Sequence, residues 1–307
     1  MINLTLKQMR YFVALAAQGH FGRAADSCAV SQPALSMQIK EMEANLGSAL
    51  VERGTRDVRL TAFGEAVAAR ITPILQAVDE LQDMARAVRD RIEGRLRIGV
   101  IPTVAPYLLP AIIPRLTQLY PGIDMQLRET VTPRLFQELA DSRLDCAIVA
   151  LPVSEPALTE VALFQEAFVL VRPEAEAGRP VPSPERLREM KLLLLEEGHC
   201  FRDQALSFCG LRGARPRELL DGSSLSTLVQ MVGAGIGVTL IPEMAVPVET
   251  RSAAVSVVAF PPPQPSRTIG MVWRKTNPLA RHLAQIADAV REVAEAQRCQ
   301  MKAASAV

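Results

Sequence analysis

Cys200 and Cys209 stand nine residues apart in the run Gly198-His199-Cys200-Phe201-Arg202-Asp203-Gln204-Ala205-Leu206-Ser207-Phe208-Cys209. His199 and Arg202 can place positive charge beside Cys200, which favours thiolate over thiol, and the thiolate is the form that attacks oxidants and electrophiles. Cys209 can trap the product. On one ideal helix, nine residues turn a side chain through about 900°, onto the opposite face, and separate the two Cα atoms by roughly 13 Å. A disulfide needs them within about 7 Å. If the two pair, the chain between them must unwind or bend, so bond formation would also be a conformational switch. The competing reading of Cys200 is a buried, inert thiol. In that reading His199 satisfies a backbone group and Arg202 pairs with Asp203.

The other chemistry-bearing residues are scattered. Cys28, Cys146 and Cys299 bring the cysteines to five, an odd number with no Cys-x-x-Cys spacing, which argues against a secreted disulfide framework. Cys28 and Cys146 read as core residues and Cys299 as incidental to the tail. With only three histidines, His20, His199 and His282, no metal site is expected. No cofactor is expected either: Gly233, Gly235 and Gly237 follow a helix and precede a strand, the reverse of a dinucleotide-binding turn, so tight turning is their use.

The chain's 307 residues exceed one typical compact core and suit two or three domains. A hydrophobic fraction of 49% with 22% charged residues is globular, and 4% aromatic leaves the core to aliphatic side chains. The opening Met1-Ile2-Asn3-Leu4-Thr5-Leu6-Lys7 has no basic region followed by an apolar run, and no run of 18 or more apolar residues occurs. The protein is therefore expected to be soluble and cytoplasmic, with no membrane partner. A net charge of +1 signals no nucleic-acid binding globally, so any such role must come from a local motif.

That motif is in the first sixty residues. Leu6, Met9, Tyr11, Phe12, Val13 and Leu15 mark a helix that breaks at Gln18-Gly19-His20. A short second helix carries Ala24-Ala25, small enough for close helix approach, and Ala29-Val30 turns the chain. Ser31 then caps a third helix with Pro33 in its first turn, Leu35, Ile39, Met42 and Leu46 along one face, and Gly47 at its end. Ser31, Gln32, Pro33, Ser36, Met37 and Lys40 are left on the outward side, a face suited to a DNA major groove. Residues 49–53 and 58–61 read as two short strands, a wing whose Arg53 and Arg56 could hold phosphates. Two lysines and five arginines against five acids make residues 1–60 net +2.

From Thr61 to Ile92, Val67, Ile71, Ile74, Val78, Leu81, Ala85, Val88 and Ile92 form an a/d seam that implies a partner helix, interrupted by a possible kink at Pro73. Beyond Gly94, helical and strand-like runs alternate: strands at 96–102, 123–129, 144–149 and 238–242, helices at 108–119, 135–140 and 225–233. Such alternation argues for parallel sheets covered by helices.

Ala24-Ala25 through Ser31-Gln32-Pro33-Ala34-Leu35-Ser36, with Leu60-Thr61-x-x-Gly64, resembles the winged helix-turn-helix of LysR-type transcriptional regulators. The resemblance implies an all-α winged helix-turn-helix domain at 1–60, a linker and dimerisation helix at 61–94, and an α/β effector region at 95–307. It implies that the effector region has two periplasmic-binding-protein-like subdomains, one of 95–166 plus 268–307 and one of 167–267. Within that family, the run from Ile101 to Pro110, Leu144-Asp145-Cys146, Glu197-Gly198-His199-Cys200-x-Arg202-Asp203-Gln204-Ala205 and Arg267-Thr268-Ile269-Gly270 resemble the peroxide-sensing members. By that resemblance Cys200 is the peroxide-reactive cysteine and Cys209 the resolving one, with Thr103, Thr132, His199 and Arg267 around Cys200. Leu219 departs from the pattern, standing where a relative carries a histidine. The implied partners are double-stranded promoter DNA, hydrogen peroxide, RNA polymerase, thiol reductants and further copies of the chain, as a tetramer built from two dimers. The rival readings are a regulator that binds a small metabolite in the inter-subdomain cleft and, from another class, a thiol peroxidase that turns over.

Overall fold

In the computed structural model, residues 3–53, 58–88, 91–210 and 220–305 are described. The chain divides into two units, Met1–Ala85 and Arg86–Val307.

The first unit comprises α1 (Leu6–Gln18), α2 (Phe21–Ser27), α3 (Gln32–Leu46), β1 (Val51–Arg53), β2 (Val58–Leu60) and most of α4 (Ala62–Ala87). Local signals set these boundaries. Thr5 and Gln8 form a reciprocal capping box on α1, and Gly19 ends that helix at φ +58. The Ser31 hydroxyl accepts the Ala34 N–H at the start of α3, and Gly47 closes it at φ +73. His20 caps α2 through Nδ1, 3.0 Å from the Gly22 nitrogen. Phe12, Leu15, Ala24, Ala25, Leu35, Ile39, Met42, Leu50 and Ile71 make one core. Burying each large side chain there contributes about 1.5–3 kcal/mol.

Leu60-Thr61-x-x-Gly64 has a geometric reason. The Thr61 hydroxyl accepts the Gly64 N–H at 2.9 Å and donates to the Ala49 carbonyl at 2.8 Å, tying the first turn of α4 to the segment between α3 and β1. A Cβ on Gly64 would fall 2.0 Å from the Leu50 carbonyl oxygen, so only glycine allows this approach. Helix α4 continues through Pro73 and ends at Ala87, short of the expected Ile92. Its seam is buried at Ile71 but open further on, with Leu81 65% and Val88 89% exposed.

The second unit comprises β3 (Gly94–Val100), α5 (Ala105–Leu119), β4 (Ile123–Glu129), α6 (Thr132–Ala140), β5 (Cys146–Leu151), β6 (Leu158–Pro173), α7 (Pro184–Leu187), β7 (Leu192–Leu195) and α8 (Cys200–Phe208). It continues with β8 (Leu220–Gly222), α9 (Leu225–Gly233), β9 (Val238–Pro242), α10 (Val246–Glu249), β10 (Val255–Ala259), β11 (Ser266–Arg274) and α11 (Ala280–Ser305). The strands lie in the order β4-β3-β5-β11-β6-β9-β7-β8, with β10 also on β6.

The parallel pairing expected from the alternation is present at both ends of the sheet but not at its centre. Pairing is parallel in β4-β3-β5 and in β8-β7-β9, but β6 and β11, which carry the chain between the two halves, pair antiparallel to their neighbours. The sixteen-residue β6 serves both halves: up to Ala167 it pairs with β11, and from Phe168 it pairs with β9. The chain returns between Ala259 and Ser266.

Candidate functional site

The four leucines of β7 are all buried, which anchors the strand that delivers α8. Gly198 then turns at φ +96, a conformation that favours glycine. His199 follows in extended conformation as the N-cap, and Cys200 is the first residue of α8. Backbone N–H groups of a first helical turn lack intrahelical acceptors, and the helix dipole there favours negative charge. Phe201 fastens this end, its ring meeting Phe168 edge to face at 4.9 Å between centroids with the Arg267 guanidinium 5.3 Å from the ring centre.

Cys209 is the C-cap residue at the other end of α8, buried, with its N–H on the Ala205 carbonyl at 3.0 Å. Neither cysteine is in a disulfide. The intact helix between them is the separated arrangement expected from their spacing. Burial pushes the Cys209 thiol up to about 11, with Arg188 pulling the other way.

Two expectations about the surroundings of Cys200 are corrected. Arg202 does not supply charge to it: two residues along a helix turn the side chain about 200° away. Its Nη1 instead donates to the Leu195 carbonyl at 2.7 Å and to Asp221 at 2.5 Å, so its carboxylate partner is Asp221 rather than Asp203. His199 does not supply charge either. Burial holds its imidazole below the usual histidine range, with Glu196 opposing, which favours the uncharged ring.

The expected pocket residues are distributed over two cavities and a sealed network. Cys200 lines a cavity of about 560 Å³ with Thr132, Pro133, Phe136, Gln137, Ala140, Glu155, Gly198 and Asp203. The Thr132 hydroxyl is buried and has no hydrogen-bond partner among the described residues. Thr103 and His199 line a second cavity of about 260 Å³, between the two halves of the unit, with Tyr107, Ser224, Ser226 and Glu249. Arg267 is fully buried. It donates from Nη1 to the Thr103 hydroxyl at 2.8 Å, from Nη2 to the Thr103 carbonyl at 3.0 Å and from Nε to Glu166 at 2.9 Å. Leu219 lies outside the described residues.

Four further side chains in this region, Glu166, Tyr107, Ser226 and Glu249, are not among the residues expected from the sequence. Glu166 accepts from Arg267 and, through its other oxygen, from the Met244 N–H at 3.1 Å, while burial pushes its carboxyl upward against the pull of Arg267. An acid between the apolar runs 161–164 and 167–171 of β6 is the signal the sequence offers. Tyr107 donates to Glu249 at 2.6 Å and Ser226 donates to the other oxygen at 2.5 Å, joining α5 to α10 across the second cavity. Nothing local marks that pairing, which spans 142 residues.

In the first unit, Ser31, Gln32, Pro33, Met37 and Lys40 are exposed and Ser36 is half-buried, while Leu35, Ile39 and Met42 face inward. The Arg53 side chain and all of Arg56 lie outside the described residues. No helix among the described residues is long and apolar enough to cross a membrane, and no group of three or more metal-ligating side chains occurs among them.

Residues 6–65 match the family of bacterial regulatory helix-turn-helix proteins of the lysR family, and residues 89–295 match the LysR substrate binding domain. The chain is 43% identical over 290 residues to the DNA-binding transcriptional dual regulator OxyR of Escherichia coli K12, covering 94% of this chain and 95% of that protein. A full-length OxyR variant from Pseudomonas aeruginosa is similar in structure, with TM-score 0.69 and 36% identity over 94% of this chain and 98% of that one. A hydrogen-peroxide-bound cysteine variant of Corynebacterium glutamicum OxyR has TM-score 0.68 and 32% identity over 99% of this chain and 97% of that one.

Proposed function

The chain belongs to the LysR family of transcriptional regulators, and from that premise we propose that it is a hydrogen-peroxide sensor that binds promoter DNA and is switched at Cys200. One observation carries the reading: Cys200, at the start of a helix, shares a cavity with Thr132, whose buried hydroxyl has no partner among the described residues, and a second cysteine caps the far end of the same helix. A hydroxyl with no partner can donate to a small polar guest, and peroxide is such a guest.

The Cys200 thiolate attacks one oxygen of the peroxide, the O–O bond breaks, and hydroxide leaves with Cys200 as sulfenic acid. Thr132 stabilises charge on the departing oxygen. Arg267 and Thr103, locked to each other and to Phe201, hold the neighbouring backbone, and His199, shifted toward its uncharged form, borders Cys200. Cys209 then condenses with the sulfenic acid, water leaves, and thiol reductants later reverse the disulfide. Because α8 cannot stay intact through that step, oxidation reshapes the effector region.

The rest of the chain carries the output. Residues 1–60 bind double-stranded DNA, with Ser31, Gln32, Pro33, Ser36, Met37 and Lys40 in the major groove and the wing arginines Arg53 and Arg56 on phosphate. Residues 61–94 pair two chains, the reading supported by the open apolar side chains Leu81 and Val88. Two such dimers form a cytoplasmic tetramer whose reshaping alters contact with RNA polymerase. One oxidation event sets one molecule's state, so the protein is a regulator and not a turnover enzyme.

Replacing Cys200 by serine tests the reading: peroxide should no longer induce the target promoter, and peptide mapping of peroxide-treated wild type should find a Cys200–Cys209 bridge. A Cys200→Ser protein that still responds to peroxide overturns it. That outcome would favour the second reading, a metabolite in the 260 Å³ cavity between the two halves.

A further inference from the structure

The end of α8 that carries Cys209 is held from outside the helix. Arg188, just after α7, is exposed, and its Nε donates to the Cys209 carbonyl at 2.5 Å. Its guanidinium lies against Gly210: a Cβ there would fall 1.9 Å from Arg188 Nη2 and 2.9 Å from Cζ, and Gly210 has φ +63. Glycine at 210 is what allows the guanidinium to cover the helix end. A cation in this position meets the negative end of the helix dipole and satisfies one of the carbonyls left over at a helix C-terminus.

The carbonyl that Arg188 holds belongs to the resolving cysteine itself. To reach Cys200, Cys209 must leave a site roughly 13 Å away along an intact helix and come within disulfide distance, which breaks the Arg188 contact. The opposite end is fastened separately, by Phe201 in the core and by Arg202 on Leu195 and Asp221. Release of the Cys209 end is therefore a distinct event from reaction at the Cys200 end.

Resting on the peroxide-sensing function above, we propose that Arg188 is a positioning residue for the resolving step, a latch that keeps the C-terminal end of α8 in its reduced arrangement. In that step the Cys209 sulfur attacks the Cys200 sulfenic sulfur, the S–S bond forms, the S–O bond breaks, and the oxygen leaves as water with the thiol proton. Peroxide has already supplied the oxidation, and Arg188 exchanges neither electrons nor protons. Its bond to the Cys209 carbonyl exists only in the starting helix, so loss of that bond speeds closure and favours the disulfide.

The test uses the full chain with Arg188→Ala and Arg188→Lys. Sulfenic acid at Cys200 is trapped with dimedone in a Cys209→Ser background, and disulfide closure is followed by quenched alkylation and mass spectrometry with Cys209 present. Arg188→Ala should leave sulfenic acid formation within about twofold of wild type but speed closure about tenfold. Against a glutathione series, the same tenfold shift makes the pair's potential about 30 mV more negative. Arg188→Lys, which keeps the charge, should restore part of the wild-type behaviour. Gly210→Ala, which displaces the guanidinium from the other side, should reproduce the faster closure even if Arg188→Ala folds poorly. Unchanged or slower closure in both Arg188→Ala and Gly210→Ala overturns the latch. If wild type itself forms no Cys200–Cys209 bridge, the sensing function fails first, and that result is read without any Arg188 variant.

Discussion

Arg267 holds Thr103 at two points, its hydroxyl at 2.8 Å and its carbonyl at 3.0 Å. The same guanidinium pairs with Glu166, and both charges are buried. Removing one partner of such a pair leaves the other uncompensated. Arg267→Ala should therefore cost about 3–5 kcal/mol in urea unfolding, and a further Glu166→Ala change should recover part of that loss.

Thr132 should behave in the opposite way. Its hydroxyl is buried and satisfies no partner among the described residues, an arrangement that costs stability, so Thr132→Val should stabilise the protein by on the order of 1 kcal/mol. If the hydroxyl donates to the departing peroxide oxygen, Cys200 oxidation should slow on the order of 10²-fold, measured by stopped flow. A variant that is both stable and fully reactive would remove Thr132 from the site.

Stability of the reduced protein should fall at alkaline pH because of Cys209. An unfolded cysteine ionises near about 8.5, while burial holds the folded thiol up to about 11, so the folded form keeps a proton that the unfolded form gives up. The stabilisation is complete below about pH 8.5 and is lost as pH rises toward about 11. Cys209→Ala should lack that slope in urea unfolding between about pH 7.5 and 10.5 under reducing conditions.

His199 sets the acid side. Its folded pKa is lowered by burial, so the unfolded state binds the proton first and stability declines as pH drops through about 6.5. His199→Gln should flatten this part of the profile. An unchanged profile would mean that the imidazole is already solvated in the folded protein.

Gly64 tests the seating of α4. A methyl group there meets the Leu50 carbonyl oxygen at 2.0 Å, and backbone cannot yield as a side chain can. Gly64→Ala should destabilise the first unit by at least about 1–3 kcal/mol and weaken binding to promoter DNA in a gel-shift assay. The second unit should melt as in wild type.

Helix ends were legible in the sequence to within a residue or two where the signal was local. Ser31 and Pro33 open α3 and Gly47 closes it, since caps act over three or four residues. For the two cysteines the spacing gave only what one helix would impose on them, and the helix itself, which has no side-chain cap, came from the fold. Strand direction was not: β6 and β11 each show the same apolar run that a parallel strand would, and only the path between the two halves makes them antiparallel.

The electrostatics around Cys200 depended on distant partners. In sequence, Arg202 and His199 looked like two cations beside a thiol. Arg202 is taken by Asp221, nineteen residues on, and burial shifts His199 toward its uncharged form. Arg267 and Glu166 meet across 101 residues. By itself, the sequence determined which residues could react, the helix ends of the first unit and the family they serve, because caps, periodicity and motif spacing are properties of neighbouring residues. The tertiary structure alone decided which charges are paired, which are extinguished and which hydroxyl is left without a partner, because desolvation and long-range pairing exist only once the chain has packed.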